Sequence, residues 1–187
     1  MYDTNEFRKG LKIEFNGDPY IIVDFQHIKP GKGNAFVRTK IKNLITGNTI
    51  EHNFRAGDKV EEPDLEQKQV EYLYQQNEDY NFMDTANYEQ IMISRKHLGE
   101  SADYLKEHMV VLVLYYQGRP IGVEMDNFVE LKVQYTEPGV RGDTVSGASK
   151  NATLETGKVI RVPLFIEVGD NLKIDTRTGE YVERLNK

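Results

Sequence analysis

The sequence predicts an all-β chain of three small consecutive units, and three observations predict it. Short β-branched and aromatic runs recur at near-regular spacing from Leu11 to Leu185. Turn-forming clusters such as Asn16-Gly17-Asp18-Pro19, Gln117-Gly118-Arg119-Pro120 and Thr178-Gly179-Glu180 punctuate them. One stretch alone, Ser101–His108, carries a helical pattern, with Ser101 as its candidate cap.

Residues 1–63 form the first unit. Leu11–Phe15, Tyr20–Phe25, Ala35–Leu44 and Thr49–Phe54 read as strands, and such short strands with Gly-rich turns suggest a small SH3-like barrel. Between the second and third lies Ile28-Lys29-Pro30-Gly31-Lys32-Gly33-Asn34, the tip of a predicted hairpin. Pro30 holds φ near about −65° and ends strand pairing, while Gly31 and Gly33 permit positive φ. The backbone can therefore turn sharply around Lys32 and leave it pointing away from the body. On local sequence alone this is an ordinary basic turn, because Pro-Gly and Gly-x-Gly are common turn formers. Arg38, Lys40 and Lys42 alternate along one strand and share a face, which reads equally as a solvated surface or as candidate RNA contacts.

Glu61-Glu62-Pro63-Asp64 combines charge with a proline and reads as a linker into a second unit, residues 64–128. Gln69–Tyr74, Tyr80–Asp84, Met109–Tyr116 and Ile121–Met125 are its strand candidates. With the helix, they fit a barrel of the oligonucleotide-binding (OB) type. The third unit, residues 129–187, opens on the strand that starts near Phe128. It continues with Val159–Val168, Leu172–Asp175 and Tyr181–Leu185. Gly139 to Gly157 holds few core-forming residues and reads as a long functional or mobile loop.

The net charge of −6 is unevenly spread. Residues 63–128 carry 5 Lys and Arg against 12 Asp and Glu, whereas residues 26–59 carry 7 against 2. An acidic total therefore leaves room for a nucleic-acid partner at the hairpin, since binding follows the local patch. No apolar run approaches the about 20 residues of a membrane span, and the start shows no secretory pattern, so a cytoplasmic protein is expected. The absence of cysteine excludes disulfides, thiolate metal sites and thiol nucleophiles.

Catalytic signatures are missing. His27, His52, His97 and His108 lack metal-ligand spacing. The phosphate-binding P-loop pattern fails because Ala152 stands five before Gly157 and Val159 follows Lys158. No G-x-S-x-G is present, and Glu61-Glu62 with Asp64 and Glu66 lie in the linker, where solvation accounts for them. The expectation is a non-enzyme with no cofactor and no metal.

Three ordered motifs carry a resemblance over essentially the whole chain. They are Lys29-Pro30-Gly31-Lys32-Gly33-Asn34-Ala35-Phe36; Glu137-Pro138-Gly139-Val140-Arg141-Gly142-Asp143-Thr144 with Gly147; and a C-terminal set. That set comprises Ala152-Thr153-Leu154-Glu155-Thr156-Gly157, Val162-Pro163-Leu164-Phe165 and Asp175-Thr176-Arg177-Thr178-Gly179-Glu180-Tyr181. With them the chain resembles the bacterial translation elongation factor P family. The resemblance implies an L-shaped protein similar in outline to a tRNA: an SH3-like, KOW-like barrel followed by two OB-fold barrels. It implies a monomer that binds the 70S ribosome between the peptidyl and exit sites and promotes peptide-bond formation at stalled polyproline stretches. Its implied partners are peptidyl-tRNA, notably prolyl, ribosomal RNA, and an enzyme that modifies Lys32; no membrane is involved. Residues 29–34 then lie near the peptidyl-tRNA end, and Gly142, Asp143, Thr144 and Gly147 face the codon and ribosome. A lysine reaches about 6 Å from its Cα, and an added aminoacyl-like group roughly doubles that span.

Two other readings compete. A general single-stranded RNA binder requires basic grooves with exposed aromatic platforms, for which Tyr72, Tyr74, Tyr115 and Tyr116 are the candidates. An enzyme with Lys32 as nucleophile requires burial or a cationic neighbour, and only Lys29 is near in sequence.

Overall fold

The structure is a computed structural model that describes residues 1–139 and 148–185. In chain order its strands are β1 (Tyr2–Asp3), β2 (Lys12–Phe15), β3 (Asp18–Ile28), β4 (Phe36–Asn43), β5 (Thr49–Arg55), β6 (Lys59–Val60), β7 (Glu66–Gln76) and β8 (Asp79–Asp84). They continue as β9 (Gln90–Ser94), β10 (Val110–Tyr116), β11 (Arg119–Glu124), β12 (Phe128–Thr136), β13 (Ser149–Leu154), β14 (Val159–Pro163), β15 (Asn171–Asp175) and β16 (Glu180–Leu185). The all-β expectation holds. The main sheets run β2-β3-β4-β5, β11-β10-β7-β8-β9 and β14-β13-β12-β15-β16, and β1 pairs with β6.

The chain divides into two compact units, Met1–Lys68 with Val113–Gly122, and Gln69–Leu112 with Val123–Lys187. In the first, alternation along β4 sends Val37, Thr39, Ile41 and Asn43 inward. Phe7, Leu11, Ile13, Ile22, Phe54 and Val60 complete that core. Phe7 and Phe54 meet edge to face at 5.2 Å, an arrangement favoured by the aromatic quadrupole. Buried Thr4 ties the chain start to the sheet end, its hydroxyl accepting the Gly57 N–H at 2.9 Å. The β10–β11 turn also belongs to this unit: the Tyr116 hydroxyl donates to the Gly17 carbonyl at 3.0 Å, and the Lys68 ammonium lies 4.9 Å from the Tyr115 ring centre.

In the second unit, Leu131, Val133, Leu154, Val162, Ile166, Leu172 and Ile174 form the core of the β12–β16 sheet. Its edge strands β14 and β16 come back into contact, so the sheet curls toward closure.

Two expectations are corrected. The helical turn lies earlier than 101–108: a one-turn helix α1 spans Arg95–Leu98, followed by a 3-10 turn over Gly99–Tyr104. Gly99 at φ +59° breaks the α-helix, and His108 at φ +68° cannot be helical. His108 instead donates its backbone N–H to the Tyr72 carbonyl at 2.8 Å. Similarly, residues 149–154 are not loop but β13, paired with β12 and β14, with Ala152 and Leu154 fully enclosed. Strands β1, β6 and β9 lie outside the predicted runs, and β14 stops at Pro163 instead of continuing to Val168.

Candidate functional site

The longest ladder of the first unit belongs to the β3–β4 hairpin. It runs from Tyr20↔Asn43 to a last pair, Ile28↔Phe36, so residues 29–35 project from a paired base. Register slips once, between Ile22 and Asp24, leaving Val23 as a bulge residue 36% exposed. A bulge lets both ladder segments keep their facing while the strand bends and twists.

Residues 29–34 are all exposed. Gly33 adopts φ +110°, a conformation that L side chains rarely take, whereas Gly31 does not enter that region. A Cβ at Gly31 would meet nothing within 4 Å, and one at Gly33 only the Pro30 ring at 3.8 Å. Backbone and lysine alike are therefore open to a partner. None of the described ion pairs involves Lys29 or Lys32.

Behind the tip, the outer face of the sheet is organised in rows set by register. Ile28, Phe36 and Arg55 form the row nearest the tip; Gln26, Arg38 and Asn53 the next; Asp24, Lys40 and Glu51 the third; Ile21, Lys42 and Thr49 the fourth. The Arg38, Lys40, Lys42 stripe thus shares one face, but its members differ electrically. Lys40 stands between two carboxylates, and Arg38 between two neutral amides. Lys9 donates to Asp24 at 3.0 Å and lowers its pKa, with a smaller contribution from Lys40. Arg55 was missed by sequence reasoning. Alternation from Thr49 places it outward, yet only the pairing Phe36↔Arg55 brings it beside the tip.

Gly142, Asp143, Thr144 and Gly147 lie outside the described residues. The segment leading to them is anchored: the Lys150 ammonium donates to the Glu137 carbonyl at 2.6 Å. A Cβ on Gly139 would sit 2.8 Å from the Leu164 carbonyl oxygen, so that approach requires glycine.

The four tyrosines offered as stacking platforms are mostly committed elsewhere. Tyr72 is buried against Tyr80 and Phe82, and burial pushes its hydroxyl up to about 12. Tyr115 is buried and Tyr116 is half-buried, leaving Tyr74, 47% exposed, as the accessible one of the four. Among the described residues no group of three or more His, Asp or Glu is arranged to hold a metal ion.

Comparison with known proteins gives three family matches in order. The "Elongation factor P (EF-P) KOW-like domain" matches residues 3–60, the "Elongation factor P (EF-P) OB domain" residues 65–123, and "Elongation factor P, C-terminal" residues 129–184. Elongation factor P of Moorella thermoacetica is 55% identical over 184 residues, covering 98% of this chain and 100% of the relative. That of Caldanaerobacter subterraneus subsp. tengcongensis is 56% identical over 185 residues, 99% of this chain and 100% of the relative. Among solved structures, the eukaryotic translation initiation factor 5A from Methanococcus jannaschii aligns with 64% of this chain and 90% of its own, at 23% identity and a TM-score of 0.47. Three domain models in sequence and full-length relatives above half identity have one consequence: the chain belongs to the elongation factor P family.

Proposed function

We propose that this chain is a translation elongation factor that binds the ribosome between the peptidyl and exit sites. There it promotes peptide-bond formation at stalled polyproline stretches by ordering the peptidyl-tRNA end through a modified Lys32. The observation that carries this is the placement of Lys32, exposed and outside every described ion pair, at the apex of a hairpin whose base is rigidly paired. A flexible stem ending in a compact cation with three donors suits contacts to RNA phosphate and 2′-hydroxyl oxygens, and a covalent extension lengthens its reach. Proline is a stiff secondary-amine substrate, so restoring reactant orientation recovers rate without a donated catalytic group.

In this reading Gly142, Asp143, Thr144 and Gly147 face the codon and ribosome, and residues 29–34 lie near the peptidyl-tRNA end. No helix among the described residues is long and apolar enough to cross a membrane. Lys32→Ala is expected to abolish stimulation of polyproline synthesis in a reconstituted translation assay while leaving the melting temperature unchanged. Intact mass and fragmentation across residues 29–38 of protein from its native host should show an added group on Lys32. Full stimulation by the alanine variant would sink the mechanism.

A further inference from the structure

The second unit contains a cluster of contacts that the tip does not explain. Tyr104, at the end of the 3-10 turn, is 2% exposed and packs within the core of the β12–β16 sheet, although it precedes that sheet in sequence by more than twenty residues. Its neighbour Asp103 is gripped from both sides. Arg95 of α1 pairs with one carboxylate oxygen, and Lys158, which directly precedes β14, approaches the other at 3.2 Å. The Thr156 hydroxyl donates to the Asp103 carbonyl at 2.6 Å, and the Lys158 ammonium lies 4.8 Å from the Tyr104 ring centre. A second strut runs beside it: Lys106 donates to the Glu130 carbonyl at 2.9 Å and faces Glu155 at 3.7 Å. Gly179 leaves room for the plug, since a Cβ there would sit 3.0 Å from the Tyr104 hydroxyl.

A solvated surface pair would not be arranged this way. Asp103 and Lys158 side chains are only 26% and 21% exposed, and a partly buried, doubly hydrogen-bonded carboxylate strongly prefers one geometry. A barrel core that borrows an aromatic ring from a preceding segment cannot rotate against that segment without opening a cavity.

We infer that Asp103 and Tyr104 are positioning residues that lock the turn Arg95–Tyr104 to the β12–β16 sheet as one rigid body. Resting on the proposed ribosomal role, the lock sets where the last sheet stands relative to the rest of its unit when the factor is bound. Asp103 supplies the angular constraint because it answers two cations on different segments, and Tyr104 supplies the pivot.

The test uses the full chain. Residual dipolar couplings measured separately for residues 69–112 and 123–185 should fit one alignment tensor in the wild type and in Tyr104→Phe, which keeps the ring. Asp103→Lys places a third cation between Arg95 and Lys158. Its two segments should fit different tensors while each keeps native chemical-shift dispersion, and half-maximal stimulation of polyproline synthesis should need about tenfold more factor. Adding Lys158→Glu to Asp103→Lys should restore the single tensor and most of the stimulation, a recovery that a general loss of stability would not give. A single tensor in Asp103→Lys, or no recovery in the charge-swapped pair, overturns the inference. If the wild type does not stimulate polyproline synthesis the proposed function falls, and the tensor measurements alone decide the lock.

Discussion

At Lys32 the side chain touches nothing that folding requires, so replacing it by a methyl group should change stability by less than about 0.5 kcal/mol. Gly139 is the opposite case. Its missing Cβ is what allows backbone to lie against the Leu164 carbonyl, so Gly139→Ala forces a 2.8 Å contact to relax. The expected cost is about 1–3 kcal/mol, read as a fall of several degrees in melting temperature. The two residues also differ in how visible they were. Pro-Gly-Lys-Gly announces a turn through local backbone chemistry, although the sequence does not say that Gly33 takes the positive φ and Gly31 does not. Pro138-Gly139 marks a turn in the same local way, but its steric need for glycine is not visible there, because that comes from Leu164, far along the chain.

The hairpin arm shows what alternation can and cannot reveal. Along β4 the apolar–basic pattern states which residues face outward, and the structure agrees. In β3 the run Tyr20-Ile21-Ile22-Val23 is apolar throughout, so neither the bulge at Val23 nor the rows that pair Lys40 with two carboxylates could be read from it. Deleting Val23 should preserve the pairs on both sides, detectable as cross-strand nuclear Overhauser contacts between Gln26 and Arg38. It should straighten the arm and displace the tip. The expected result is an intact fold with weakened polyproline stimulation, because the tip would approach the peptidyl-tRNA end from the wrong angle.

At the scale of the whole molecule, the Asp103 contacts lie within the second compact unit, where they join the turn Arg95–Tyr104 to the β12–β16 sheet. Burial disfavours the Asp103 carboxylate, but hydrogen bonds from Arg95 and Lys158 outweigh it and hold its pKa below the ordinary value. A carboxylate depressed on folding stabilises the native state above its unfolded pKa of about 3.9, and that contribution fades as pH falls through the folded value. Asp175, held down to about 2 by Arg177, behaves in the same sense. The melting temperature should therefore drop between about pH 4 and pH 2, and Asp103→Asn should flatten part of that drop while lowering stability at neutral pH. Sequence reading found the helical turn but shifted it, since burial of Tyr104 in a distant core overrides local helix preference.

That burial also sets an order of events during synthesis. Tyr104 is synthesised before any of β12 through β16, and the residues packed in its core run on through Ile174 to Tyr181. A nascent chain halted short of that point carries a finished plug with no socket, and later a socket whose strands assemble around a ring already waiting. The final third of the chain thus matures on a template supplied by the middle third, and it becomes native only when synthesis is nearly over.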